Sequence, residues 1–266
     1  MTVMAAEGAP GVRLDRVSKR FGAAASEVVA LEEVDLTIGD GEFVAVVGPS
    51  GCGKSTLMRL ISRLSRPSGG RISVFGDESS EPPDGMSIVF QNHVLLAWRS
   101  ILDNVLFPAD MVGRRRAELR PRALELLAGV GLADFTDRYP HELSGGMKQR
   151  ASIARALLLE PRLLLMDEPF GALDALTREQ MRVDLEALWL KNRMTILFIT
   201  HSIDEAVLLA DRVIVMTPRP GRIERILEID IPRPRGLAAR RAPEFLEKSE
   251  EITEIFLSRG VLHRNG

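Results

Sequence analysis

Residues 48–56 have the composition and spacing of a phosphate-binding loop. They read G-P-S-G-C-G-K-S-T and contain the pattern G-x-x-x-x-G-K-[ST] between an apolar run, Phe43–Val47, and a segment of helical spacing. Its glycines leave out side chains that would stop backbone N–H groups from closing around phosphate oxygens. A glycine-rich turn without a ligand is the alternative, but the order of strand, loop and helix disfavours it. The sequence therefore predicts that the chain binds a nucleoside triphosphate.

Two side chains of this loop have predicted chemical roles. Lys54 is expected to reach the β- and γ-phosphates, and the Ser55 hydroxyl to ligate Mg²⁺. The thiol of Cys52, the chain's one cysteine, is assigned no chemistry. The expected nucleotide contacts in the loop are Gly48, Pro49, Ser50, Gly51, Cys52, Gly53, Lys54, Ser55 and Thr56.

A pair of carboxylates follows a second apolar run. Leu163–Met166 is typical of a buried strand, and Asp167 and Glu168 come directly after it. At the carboxyl edge of a parallel sheet, both side chains would lie beside the bound phosphates. We expect Asp167 to hold Mg²⁺, directly or through water, and Glu168 to polarise the attacking water. Two solvated acids at the end of a strand are the alternative, and only the combination with the upstream loop favours catalysis.

A second helix start has the features of an anion site. Ser144 is a plausible N-cap, and Gly145 and Gly146 follow it, so little side-chain bulk covers this helix N-terminus. An ordinary capped helix would need only one glycine. Because one phosphate-binding loop already serves one nucleotide, we expect the second helix end to serve a nucleotide held by another copy of the chain.

The overall composition narrows the class of protein. The 266 residues include 35 Lys and Arg against 37 Asp and Glu, so the net charge of −2 gives no indication of nucleic-acid binding. No apolar stretch approaches the ~20 residues of a membrane span. Residues 1–12 lack the order of a secretory signal. Any membrane role is therefore expected to be peripheral.

Alternation of apolar runs with helical segments is typical of an α/β fold with a parallel sheet. Strand-like alternation fills residues 11–41, and residues 92–160 have helical spacing, which indicates a helical insertion between two strands. Trp98 and Trp189 are expected to be packing residues, and His93, His141 and His263 are assigned no role. Further strands are predicted at 71–75, 86–90, 163–166, 195–199 and 213–216, a hairpin at 222–231, and helices at 176–191, 203–210 and 245–257.

The phosphate-binding loop, the carboxylate pair at Asp167 and Glu168, and L-S-G-G-M-K-Q at Leu143–Gln149 occur together in this chain. Together they closely resemble the ATP-binding cassette of ABC transporters over about residues 11–235. The resemblance implies an α/β P-loop NTPase fold with a RecA-like core, an N-terminal antiparallel β subdomain and an inserted α-helical subdomain at about 92–160. A short helical tail would occupy 236–266. The ligand implied is ATP, the cofactor Mg²⁺, and the activity ATP hydrolysis.

The resemblance also assigns residues to a head-to-tail dimer, in which each ATP lies between one P-loop and the opposing L-S-G-G motif. Ser144 and Gly146 would contact the γ-phosphate held by the other subunit, and Gly145 and Gln149 belong to the same motif. Asp174 ends Gly-Ala-Leu-Asp, which matches the D-loop that crosses the dimer interface.

Three further residues match single positions of the cassette. Gln91 matches the glutamine that senses Mg²⁺ and the γ-phosphate, and His201 matches the switch histidine that contacts that phosphate. With Glu168, these two complete the expected catalytic set. Phe21 stands where an aromatic residue usually stacks on adenine; tyrosine is commoner there, and phenylalanine can still stack.

The second half of the chain resembles the ATPases of importers for nitrate, aliphatic sulfonates and taurine, for example over Asp167–Arg178. Leu95–Trp98 resembles that group's Leu-Leu-Pro-Trp, with Ala97 in place of proline, on the surface expected to receive a membrane partner. This implies a peripheral subunit on the cytoplasmic face of the cell membrane, bound to two transmembrane permease subunits and served indirectly by a solute-binding protein. A transporter ATPase for another cargo (pyrimidine, bicarbonate or lipid) and a soluble cassette ATPase outside transport are the alternatives.

Overall fold

The computed structural model describes residues 10–22 and 27–262 and has the α/β architecture expected from the sequence. The expectations for most of residues 1–12 and for His263 lie outside the described residues. The strands are β1 (Val12–Phe21), β2 (Val28–Ile38), β3 (Phe43–Val47), β4 (Gly69–Val74), β5 (Met86–Val89), β6 (Leu163–Asp167), β7 (Thr195–Ile199), β8 (Arg212–Met216) and β9 (Ile223–Glu228). The α-helices are α1 (Lys54–Ile61), α2 (Ile101–Met111), α3 (Arg116–Gly129), α4 (Gly145–Leu157), α5 (Ala175–Asn192), α6 (Ile203–Leu209) and α7 (Pro243–Ser258).

The larger sheet has six strands in the order β5-β6-β7-β3-β8-β9, of which only β9 is antiparallel to its neighbour. Its central strands are continuous apolar runs because both faces of the sheet are covered. In β3, Val44 and Val46 pack into one buried cluster, while Phe43, Ala45 and Val47 pack into the other. The sheet is therefore a rigid support for the loops that follow its strands.

The smaller sheet is antiparallel, with three strands in the order β2-β1-β4. Leu14 and Leu31 from this sheet share a buried cluster with Leu57 and Met58 of α1. The helix that follows the phosphate-binding loop is thus fixed between the two sheets.

Helices α2, α3 and α4 occupy the chain between β5 and β6, which confirms the expected helical insertion. Ala123 and Leu127 of α3 and Ala154 of α4 are among the buried residues of this insertion. No helix in residues 10–22 and 27–262 is long and apolar enough to span a bilayer.

The two tryptophans differ in their environments. Trp189 packs as expected, with 1% of its surface exposed and its indole N–H donating to the carbonyl of Met194 at 2.9 Å. The expectation for Trp98 is wrong, because 75% of its surface is exposed. In the segment Leu95–Trp98, Leu95 is the side chain that packs against the core, and Trp98 is left at the surface.

A charge cluster attaches the segment between β9 and α7 to helices α5 and α6. The Arg235 guanidinium donates to four backbone carbonyls, including those of Val207 and Ala210 near the end of α6, and burial lowers its pKa to about 10. Glu186 of α5, only 2% exposed, accepts from the Arg235 backbone N–H at 2.9 Å and from the Arg233 side chain at 3.1 Å. The segment between β9 and α7 is therefore held by charge-assisted hydrogen bonds.

Replacing Glu186 tests how much this cluster stabilises the fold. We expect Glu186→Ala to lower the free energy of unfolding by roughly 3–5 kcal/mol, because the Arg233 guanidinium and the buried Arg235 backbone N–H lose the carboxylate that they share. Urea denaturation followed by circular dichroism measures the change. Glu250→Ala, at an exposed position of α7, is the control and should change stability by less than about 0.5 kcal/mol. Equal effects of the two variants would contradict the role given to the cluster.

Candidate active site

The carboxyl ends of four neighbouring parallel strands meet at one edge of the large sheet. In the order β5-β6-β7-β3, these ends lead to Gln91, to Asp167 and Glu168, to His201, and to the loop that starts at Gly48. Backbone hydrogen bonds continue the ladder here, from Glu168 N–H to the Ile199 carbonyl at 2.8 Å. Parallel pairing thus brings together residues that lie more than a hundred positions apart in the chain.

The phosphate-binding loop has the cradle that the sequence predicts. Gly53 adopts φ 106°, and a Cβ there would lie 2.6 Å from Leu31 Cδ2, so only glycine fits without distortion. The N-terminus of α1 has no side-chain cap, which leaves its first turn of N–H groups for a ligand. Lys54 is 7% exposed, and its Nζ donates to the carbonyls of Gly48 at 2.7 Å and Pro49 at 3.1 Å. Its ammonium group is therefore held over the loop.

The residues expected at a Mg²⁺ ion are oxygen donors of the kind this ion prefers. Asp167 is 8% exposed, and burial raises the pKa of its carboxyl group, while a hydrogen bond with Ser55 and the charge of Lys54 act in the opposite direction. A divalent cation would relieve this burial cost. One buried carboxylate and one hydroxyl suit Mg²⁺, which usually takes few protein ligands and completes its shell with phosphate oxygens and water.

Glu168 is the point at which the expected catalytic residues meet. Gln91 Nε2 donates to Glu168 Oε2 at 3.0 Å, and His201 Nδ1 lies 3.4 Å from the same oxygen. Glu168 has φ 47°, a left-handed backbone conformation that costs a non-glycine residue about 1–3 kcal/mol and is concentrated at functional sites. Two side chains from two neighbouring strand ends therefore converge on one carboxylate oxygen of Glu168.

The residues of the L-S-G-G motif lie at the start of α4. Ser144 Oγ accepts from Met147 N–H at 3.3 Å, and a Cβ on Gly145 would meet nothing within 4 Å, so this helix end is capped but open. Gln149 is different: it is 1% exposed, and its Nε2 donates to the Phe90 carbonyl at 3.3 Å. In this conformation Gln149 links α4 to the residue before Gln91 and does not face solvent.

Two further expected contacts lie at the surface. Asp174 is exposed and caps α5 by accepting from Thr177 N–H at 3.0 Å; this hydrogen bonding lowers the pKa of its carboxyl group. Phe21, at the end of β1, is 45% exposed, and Lys19 Nζ lies 4.9 Å from its ring centroid. An aromatic face is therefore available at the position expected for adenine stacking.

The structure adds Gly221 to the residues that shape the site. It hydrogen-bonds to the backbone of β2 on both sides, at Ala30 and Glu32, and a Cβ on it would lie 1.9 Å from the Cys52 carbonyl oxygen. Gly221 thus supports the back of the phosphate-binding loop. The sequence alone does not give Gly221 a role at the site, because its contact with Cys52 depends on folding across more than 160 positions.

Residues 31–171 match the family model described as ABC transporter. The chain is 45% identical to the taurine import ATP-binding protein of Rhizobium johnstonii, over 93% of this chain and 97% of the relative. It is 46% identical to the bicarbonate transport ATP-binding protein of Synechocystis, over 84% and 80%. It is also 45% identical to the nitrate import ATP-binding protein of Synechococcus elongatus, where the match covers 85% of this chain and 35% of that longer protein.

Among solved structures, the fold is similar to the ATP-binding cassette MJ0796 in a dimeric post-hydrolysis state bound to ADP and Pi. The TM-score is 0.74 at 33% sequence identity, over 83% of this chain and 99% of the other.

Adding one methyl group at Gly221 tests its support of the loop. We expect Gly221→Ala to weaken ATP binding by roughly 5- to 150-fold, because relieving the clash with Cys52 must displace the loop, at an overpacking cost of about 1–3 kcal/mol. Equilibrium binding of a fluorescent ATP analogue measures the change. Gly236→Ala, where a Cβ meets nothing within 4 Å, is the control. Unchanged affinity in Gly221→Ala would show that Gly221 does not shape the loop.

Proposed function

The chain belongs to the ABC transporter family, and from this premise we propose that it powers the import of a small anion across the cytoplasmic membrane. It is an ATPase of the importer type, resembling the nitrate and taurine importers. The observation that carries the proposal is the convergence of Gln91 and His201 on Glu168, beside an intact phosphate-binding loop. That is the arrangement needed to hydrolyse a nucleotide and not only to bind it.

In the proposed mechanism, Glu168 orients the attacking water and accepts its proton. Gln91 and His201 hold the carboxylate in place, and His201 also contacts the γ-phosphate. Lys54 exchanges its bonds to the Gly48 and Pro49 carbonyls for bonds to phosphate oxygens. Mg²⁺ held by Ser55, Asp167 and Gln91 would neutralise charge on the β- and γ-phosphates.

We propose that two copies of the chain form the complete site, head to tail. Gly145 and Asp174 are exposed in the single chain, and the start of α4 offers an open, weakly covered helix N-terminus. Each γ-phosphate would bond to the loop of one subunit and to Ser144 and Gly146 of the other. Binding of ATP would close the dimer, and hydrolysis would open it by removing this bridge. The dimeric state of the related cassette MJ0796 supports this arrangement.

The exposed surface of the helical insertion supports a membrane partner. Val94 and Trp98 are 57% and 75% exposed, and they lie in or next to the segment Leu95–Trp98 that the resemblance assigns to the membrane partner. We propose that two transmembrane permease subunits bind here, which places the chain at the cytoplasmic face of the membrane. A solute-binding protein would act indirectly, on the far side of those subunits.

The cargo is proposed as a chemical class. The relatives' names refer to taurine, nitrate and bicarbonate import or transport, and these share a small size and an anionic group. A sulfonate, taurine or nitrate is the proposed cargo, with bicarbonate as an alternative of the same class. The chain itself supplies power and none of the cargo pocket.

As a working division we propose a cassette at 11–235, with its helical subdomain at 92–160, and a tail at 236–266.

Two substitutions separate nucleotide binding from hydrolysis. We expect Glu168→Gln to retain ATP binding while kcat falls by about 10²–10⁴, because the amide keeps the shape of the side chain but cannot take a proton. Lys54→Ala should lose nucleotide affinity as well. Phosphate release and equilibrium binding measure the two effects. Wild-type turnover in Glu168→Gln would show that another group is the base.

The partners can be captured with the same variant. Tagged Glu168→Gln, added with Mg-ATP to solubilised native membranes, should retain a multi-span membrane protein, whereas Lys54→Ala should not. A co-purifying solute-binding protein could then be screened against taurine, alkanesulfonates, nitrate, bicarbonate and pyrimidines. Recovery of only soluble partners would contradict the transport proposal while leaving the ATPase activity intact.

A further inference from the structure

The segment between Gln91 and Trp98 joins two distant regions of the molecule. At one end, Gln91 donates to Glu168 of the active site; at the other, Trp98 is 75% exposed at the surface. No regular strand or helix forms between them, as the described elements pass from β5, ending at Val89, to α2, starting at Ile101. Side chains from elsewhere must therefore fix the backbone of this segment.

Three side chains of the helical insertion hold this backbone. Asn104 of α2 is fully buried and exchanges two hydrogen bonds with the backbone of Leu96, at 2.7 and 3.0 Å. Gln149 of α4 donates to the Phe90 carbonyl, just before Gln91. Arg155, two turns further along α4, donates to the carbonyls of Val94 at 2.8 Å and His93 at 3.4 Å. The segment is thus attached to the helical insertion, while Gln91 reaches across to the core.

The Arg155 contact lies at the most strained point of the segment. Val94 has φ 36°, and a β-branched residue in the left-handed region is a genuine outlier. The two carbonyls that Arg155 binds flank the Cα of Val94, so the planar guanidinium fork fixes the peptide units on both sides of the strained residue. Burial alone lowers the pKa of Arg155, with no charged neighbour contributing. Its charge is therefore directed at backbone carbonyls and not at a carboxylate.

We propose that Arg155 is a positioning residue for ATP hydrolysis, which holds the His93–Val94 backbone so that Gln91 stays in contact with Glu168. The inference rests on the proposed roles of Gln91 and Glu168. It predicts that loss of Arg155 lowers the rate of hydrolysis more than it lowers nucleotide affinity, because the phosphate-binding loop is untouched. It also predicts that the effect passes through Gln91.

Arg150 provides a matched control on the same helix. Its guanidinium donates to a backbone carbonyl at 2.7 Å, as that of Arg155 does, but the acceptor is Val130 at the end of α3, away from Gln91. Truncating either arginine leaves a carbonyl without its donor, so a general loss of packing in α4 would affect both variants alike. An effect specific to Arg155 must come from the segment it holds.

The test compares Arg155→Ala, Arg155→Lys and Arg150→Ala in steady-state ATP hydrolysis, with the melting temperature as a measure of folding. We expect Arg155→Ala to lower kcat about tenfold and to change KM for Mg-ATP less than threefold. Arg155→Lys should fall between wild type and Arg155→Ala, because a lysine keeps the charge but can bind only one carbonyl well. Arg150→Ala should keep kcat within about twofold of wild type. If Arg155→Ala fails to fold, Arg155→Lys must still lower kcat at an unchanged melting temperature.

A double-mutant cycle tests the route of the effect. In a Gln91→Ala background, Arg155→Ala should lower kcat no further, since the residue it positions is already gone. The same tenfold loss in that background, or equal losses in Arg155→Ala and Arg150→Ala, would overturn the proposal. If Gln91→Ala itself kept full activity while Arg155→Ala did not, Arg155 would act by another route and the proposal would fail. Glu168→Gln, measured alongside, reports separately on the proposed base.

Discussion

The structure depends on one geometric constraint: the carboxyl ends of adjacent parallel strands lie at the same edge of a sheet. With the order β5-β6-β7-β3, this constraint brings Gln91, Glu168, His201 and the phosphate-binding loop together. Apolar residues cover both faces of the sheet, so the strands cannot shift relative to one another without exposing the core. The packing of the sheet beneath Glu168 therefore offsets the free-energy cost of its strained backbone conformation.

The motifs of this site could be predicted from the sequence because each one depends on residues that lie next to one another in the chain. A phosphate-binding loop needs a fixed spacing of glycines, a lysine and a hydroxyl, and a carboxylate pair after an apolar run marks a strand end. The supporting residues could not be predicted in the same way. Gly221, Glu186 and Arg155 act through backbone atoms far away in the sequence, and backbone donors and acceptors leave no signal in residue types. Trp98 was mispredicted for a related reason, since residue type alone does not show which of several apolar residues in a loop turns inward.

In the proposed function, the helical insertion joins ATP hydrolysis to the membrane partner. Its last helix, α4, begins at the L-S-G-G motif, whose Gly145 is open. Side chains of α4 hold the backbone next to Gln91, and the surface of the insertion presents Trp98. Next to the insertion, Gln91 donates a hydrogen bond to Glu168, the proposed base. In the proposed cycle, ATP in the active site would change the position of the insertion, and its exposed surface would transmit that change to the membrane partner.

Complementation between two inactive variants tests the proposed head-to-tail dimer most directly. Lys54→Ala removes the phosphate-binding lysine, and Gly145→Glu places a negative charge at the open start of α4, where a Cβ meets nothing within 4 Å and an acidic residue suits the helix dipole. If each site combines the loop of one subunit with the α4 start of the other, mixing the two variants creates hybrid dimers with one intact site. We expect ATP hydrolysis to return on mixing. Dimers shown to be hybrid by two affinity tags, yet still inactive, would contradict it.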